Sequence, residues 1–131
     1  MSAPSFKNSH ASLMYNKAMD IFQLATQISS YIVHDIAPLQ RNGKEDPNIY
    51  FTGDIIQQSV SLGPEILKAE SQPYQDDRFK YASSVMRLSN RLYNNCKRLQ
   101  KVNSNGKDFL PLMLKEIRKF RKLQSTWHLT L

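Results

Sequence analysis

Residues 84–101, SVMRLSNRLYNNCKRLQK, place Arg87, Arg91, Lys97, Arg98 and Lys101 among apolar residues without a single acid. Guanidinium and ammonium groups left unneutralised in this way suit one kind of chemistry, the binding of phosphate. On a helix, at 100° per residue, Lys80, Arg87, Arg91 and Arg98 fall within about 40° of one another, with Lys101 extending the stripe. A second group, Lys115, Arg118, Lys119 and Lys122, collects on the side of the next helix away from Leu110, Ile117 and Phe120. Side by side, the two helices would present one continuous basic surface. Each phosphate neutralised releases counterions, so such a face binds nucleic acid strongly, salt-sensitively and with little regard to sequence. The competing reading is a solvated basic face. It is weakened because residues 78–131 hold thirteen Lys and Arg against two acids, Asp108 and Glu116.

Other reactive residues offer less. Tyr81, Tyr93 and Trp127 could stack on bases, but each lies near an apolar stripe and fits a core or interface equally well. His10, His34 and His128 have no ligand-like spacing, and no metal site is expected. Asp20 with Asp35, and Asp76 with Asp77, lack a third partner and read as surface and capping charges. Cys96 falls on an apolar seam as a small hydrophobe. Arg121 and His128, six residues apart, match the Arg-x4–6-His pattern of HEPN-type ribonucleases, in which an arginine would stabilise phosphate charge beside a histidine acid and base. The chain is nonetheless expected to be no enzyme and to need no cofactor.

The elements that must position these residues are helical throughout. Met14, Ala18, Ile21, Ala25, Ile28 and Ile32 alternate spacings of four and three and predict a first helix over about 12–37, capped by Ser12 and ended by Pro38, after a flexible arm at 1–11. Asn42-Gly43 and Asp46-Pro47 mark turns. Ile55, Ile56, Val60, Leu62, Ile66 and Leu67 predict a second helix over about 52–70, kinked or broken at Gly63-Pro64. Ala82, Val85, Ser89, Leu92, Cys96 and Leu99 form the seam of a third over about 75–101, with Asp76 and Asp77 at its positive end and Gly106 as punctuation after VNSNG. Leu110, Met113, Leu114, Ile117, Phe120, Leu123 and Trp127 form the stripe of a fourth over about 108–127, with Pro111 in its first turn. Four amphipathic helices on short connections predict an all-α, antiparallel up-down four-helix bundle.

The chain has 131 residues, room for one core and not for two. The lone cysteine makes no intramolecular disulfide and points to a reducing, cytoplasmic setting. The first residues, MSAPSFKNSHAS, lack the charge and apolar run of a signal peptide, and no apolar run is long enough to cross a bilayer. Charge is segregated. Residues 1–77 carry five basic against nine acidic side chains, so the excess of positive charge belongs to 78–131 and implies a polyanionic partner.

Residues 55–92, IIQQSVSLGPEILKAESQPYQDDRFKYASSVMRLSNRL, resemble the signature region of a four-helix-bundle family that includes the bacterial large-subunit rRNA intervening-sequence proteins and the accessory variability determinants (Avd) of diversity-generating retroelements. That family's pattern is a helix like AVSIPSNIAEG, a short polar turn, and a long aromatic-rich helix. Ser59, Val60, Ser61, Leu62 and Ile66 match the first part; Phe79, Tyr81, Ala82 and Leu88 match the second. Two departures are the proline displaced by one in Gly63-Pro64 and Leu67-Lys68 in place of Ala-Glu. The tail IRKFRKLQSTWHL looks more like the Avd branch. The resemblance implies a homopentamer with a basic outer surface that binds a reverse transcriptase, RNA and cDNA during mutagenic cDNA synthesis. A neighbouring reverse-transcriptase gene with a template and variable repeat pair would favour that role. A reading frame inside an rRNA gene would favour an orphan intervening-sequence type.

Apolar residues over a wide arc of the fourth helix, Phe109 through Trp127, exceed what one seam uses, which suggests that protomers join into a ring with the cations outside, multiplying weak phosphate contacts. Light scattering coupled to size exclusion is expected to give a multiple of the chain mass at micromolar concentration; a monomeric mass would refute the ring.

Overall fold

Apolar residues spaced alternately by three and four along a helix line one stripe, and burying that stripe fixes the helix's rotation about its own axis. The computed structural model of the chain, which describes residues 6, 8–36, 38, 43–44, 48–102 and 104–131 (residue 105 through its backbone), contains four such helices and no strand among those residues. They are α1 (Ser9–Ile36), α2 (Asn48–Ser71), α3 (Gln75–Leu99) and α4 (Leu110–Leu129), with one turn of 3-10 helix, Asn105–Phe109, before α4. Each helix packs on the two beside it in a ring, α1 on α2 and α4, α3 on α2 and α4. Direction follows from contacts between ends. Asn8 Nδ2 donates to Thr130 Oγ1 at 2.6 Å, joining the start of α1 to the end of α4. Ser29 Oγ donates to Thr52 O at 3.1 Å, joining the later part of α1 to the start of α2. Trp127 Nε1 donates to Glu70 Oε1 at 2.6 Å across the ends of α4 and α2. The bundle is therefore up-down-up-down.

Several boundaries differ from the sequence expectation for identifiable reasons. Asn8, not Ser12, caps α1: its Oδ1 accepts from His10 N at 2.9 Å, so the helix starts three residues earlier and buries Ala11. Of the expected arm, residues 1–5 and 7 lie outside the described residues, and the Phe6 ring lies 5.5 Å from that of Tyr15. Ala37, Asn42, Asp46, Pro47 and Asn103 also lie outside them. Gly43 has φ +76°, the left-handed conformation of a turn glycine. α2 runs unbroken through Gly63-Pro64. Its buried stripe, Ile55, Ser59, Leu62, Ile66 and Ala69, keeps the alternation of four and three across the proline, while Pro64 itself is exposed and needs to give up only one amide donor. Val60, expected on the apolar face, is exposed, and Ser59 takes the place. Gly63 faces α1, where a Cβ would lie 3.0 Å from Met19 Cε and 3.1 Å from Tyr15 Cε2.

The seams of α1 and α3 are buried as the spacing predicts. In α4 Gln124 is buried in the place expected for Leu123, and Leu123 is only partly covered. Most of the wide apolar arc of that helix is buried within the chain, while Phe109, Leu112 and Leu129 stay exposed. Leu110, Met113, Leu114, Ile117, Phe120 and Trp127 are buried, and Phe109 stacks on Tyr31 with ring centroids 5.5 Å apart. No helix among the described residues is long and apolar enough to cross a membrane.

Gly106 belongs to the 3-10 turn that carries the chain from α3 to α4, and it does more than punctuate. A Cβ there would lie 2.8 Å from Tyr31 Cβ, 2.9 Å from Ile32 Cγ1 and 3.1 Å from Ile32 N, so only glycine lets the connection lie on α1. Gly53, inside α2, has open space around it. Gly106→Ala is expected to destabilise the chain by about 1–3 kcal/mol, and Gly53→Ala to stabilise it by about 0.5–1 kcal/mol. Urea unfolding followed by circular dichroism measures both; a neutral Gly106→Ala would contradict the packing described.

Candidate nucleic-acid interface

Because the α3 seam faces inward, residues about half a turn away face solvent. Lys80, Arg87, Arg91, Arg98 and Lys101 are all exposed, and so are Lys115, Arg118, Lys119 and Lys122 on α4. Eight of these nine cations have no carboxylate within 4.0 Å among the described residues; the ninth, Lys119, lies 3.4 Å from Glu116 Oε1. Glu116 is also held by Lys17 Nζ, which donates to Oε2 at 2.7 Å from α1. That hydrogen bond, with the charges of Lys17 and Lys119, lowers the carboxyl pKa against the opposing effect of burial. The main acid on this side of the bundle is thus already committed.

The two stripes do not lean on each other. Arg98 stacks its guanidinium on the Phe51 ring of α2 at 4.1 Å, and Lys80 lies 5.8 Å from the Tyr81 ring, which Lys68 of α2 also approaches at 6.0 Å. The α3 stripe therefore turns toward α2. The cations bordering the α3/α4 junction are two that the sequence reading left out of the site, Lys97 and Arg121. They flank the Tyr93 ring at 5.6 Å and 5.4 Å from its centroid. Lys97 follows Tyr93 by four residues, a legible helical spacing. Arg121 reaches the same ring from α4, which depends on the register between helices.

Between α3 and α4 runs a groove of about 410 Å³ lined by Met86, Asn90, Arg121, Gln124, Ser125 and His128. The ring of His128 lies 5.1 Å from that of Phe79, tilted by 37°. The groove brings Arg121 and His128 onto one wall.

The remaining candidates have structural roles. Trp127 is fully buried and offers no stacking face, and Tyr81 and Tyr93 are half-buried with cations against them. Asp35 Oδ2 accepts from Ser104 Oγ at 2.6 Å, and that hydroxyl accepts from Gly106 N at 3.1 Å, fastening the α3–α4 connection to α1. Asp20 is a surface charge 3.9 Å from Lys17, and Asp76 and Asp77 occupy the first turn of α3. Cys96 is buried, its thiol pushed up to about 12 by loss of water, which leaves no thiolate for chemistry at neutral pH. No group of three His, Cys, Asp or Glu that could hold a metal ion occurs among the described residues. In comparisons with known proteins, no family, curated protein or solved structure matches the chain.

Proposed function

We propose that this four-helix bundle is a non-enzymatic accessory protein that binds RNA and cDNA through α3 and α4 and acts beside a reverse transcriptase in mutagenic cDNA synthesis by a diversity-generating retroelement. The observation that carries the nucleic-acid part is the set of eight outward-facing cations with no carboxylate partner among the described residues. Ion pairs within the chain would have to be broken before a phosphate was bound; here almost none compete. The spread of charge over two helices favours an extended backbone over a single phosphate, and the absence of any committed base-reading geometry on these faces favours sequence-independent contact. The reverse transcriptase, the retroelement, a homopentameric ring and a cytoplasmic setting rest on the resemblance of residues 55–92 and the basic tail, with the lone buried cysteine in keeping with the last.

RNA cleavage is the competing reading, favoured by Arg121 and His128 lining one groove. Purified protein is expected to leave RNA intact. Cleavage by the wild type that disappears in His128→Ala would overturn the non-enzymatic reading.

The binding itself is tested by charge reversal. Arg87→Glu with Arg91→Glu changes two exposed side chains, so stability should stay within about 0.5 kcal/mol. Affinity for single-stranded RNA is expected to fall at least about tenfold, and the slope of log K against log salt to flatten by about 1.4, near 0.7 for each lost phosphate contact. Wild-type affinity that ignores salt, or is absent, would sink the proposal.

A further inference from the structure

The α3/α4 groove differs in kind from the stripes on either side of it. Its lining includes one cation, Arg121, together with two amides, Asn90 and Gln124, a hydroxyl, Ser125, a histidine, and the thioether of Met86. Among the described residues one buried side-chain polar atom has no hydrogen-bond partner, and it belongs to this lining: Asn90 Oδ1. Buried acceptors are nearly always paired, and one that is not marks a place where a donor is missing. Gln124, the other amide of the lining, accepts at Oε1 from Ser89 Oγ at 3.3 Å. Arg121 is held against Tyr93 and has no carboxylate partner, so its guanidinium is available at the groove.

We propose that this groove receives one unstacked base of a bound single strand, with Asn90 hydrogen-bonding the base edge and Arg121 holding the adjoining phosphate. The inference rests on the nucleic-acid reading above and adds base selectivity to a surface otherwise blind to sequence. An Asn amide presents an acceptor beside a donor, which is the complement of a base edge carrying an N–H next to an acceptor. The volume of about 410 Å³ lies at the lower end of small-ligand clefts, roughly 300–1,000 Å³, and suits one nucleotide. His128, at the end of the lining, sets its ring 5.1 Å from that of Phe79 and so ties the C-terminal end of α4 to the start of α3. Because Asn90 Oδ1 is itself buried, Met86, one turn before it and 49% exposed, is the flexible part of the lining that must move aside to uncover it for an entering base.

The test is equilibrium binding of the full chain to four homo-oligoribonucleotides, each of about 12 nucleotides. Wild type is expected to rank them over roughly tenfold, the discrimination one amide contact gives. Asn90→Ala is expected to collapse that ranking while leaving the salt slope unchanged, and to melt no lower than wild type, since it removes an unpaired acceptor. Arg121→Gln should weaken all four alike and flatten the slope by about 0.7. Met86→Trp, which fills the groove from an exposed position, provides an independent block and should also erase the ranking. Salt-dependent binding that treats all four oligonucleotides alike, or a ranking that survives both Asn90→Ala and Met86→Trp, overturns this inference and leaves the general interface standing. Absence of binding to any of them overturns both.

Discussion

Everything in this chain depends on the rotation that each buried seam imposes on its helix. In α3 the seam is Ala82, Val85, Ser89, Leu92, Cys96 and Leu99, all at or near zero exposure. Slipping it by one residue turns the helix by about 100°, which would drive Arg91 and Arg98, or in the other direction Lys97, toward the core and leave an unpaired charge without water. The apolar residues thus decide where the cations point. Removing Leu92 or Val85 from the interior would loosen the orientation of Arg87 and Arg91 without touching either.

Seams alone do not choose among topologies, because a stripe of aliphatic side chains carries little direction. The polar contacts at the two ends do that. At one end Asn8 meets Thr130, Glu70 meets Trp127, and Arg78 donates to Gln72 O and Pro73 O. At the other, Asp35, Ser104 and Gly106 form a linked set that fastens the α3–α4 connection to α1. The small residues serve the same purpose. α1 comes too close to Gly106 for a Cβ and leaves only a tight fit for one at Gly63, so α1 is the element on which the others are registered.

Charge follows from the same arrangement. Apart from Asp76 and Asp77 in the first turn of α3, the acid-rich half of the chain supplies α1 and α2 and the base-rich half supplies α3 and α4, so the segregation along the sequence becomes a segregation in space. Lys17 reaching from α1 to Glu116 is the cross-over contact, and it withdraws from the basic side one of the few acids that could have neutralised it. The aromatic rings Tyr81, Tyr93 and Phe51 then act as supports for cations. Extended side chains on a ring face lose less conformational freedom when they bind a phosphate than free ones do.

The sequence by itself determined the number of helices, the seams of α1 and α3 and the outward exposure of all nine candidate cations, because the alternation of three and four is local and the chemistry of burial acts on it directly. It was less informative wherever an equally local signal competed: Gly63-Pro64 read as a kink or a break, Ser12 as a cap and Val60 as core. Packing of Leu62 and Ile66 on one side of the bundle kept α2 whole, and Asn8 offered its oxygen first. Only the tertiary structure decided that most of α4's broad apolar arc is buried within the chain, that Arg98 turns toward α2, and that Arg121 shares Tyr93 with Lys97. It alone brought Asn90, on α3, into one groove with Arg121 and His128, on α4. Those facts depend on the register between helices far apart in sequence, and no periodicity within one helix encodes the register of another.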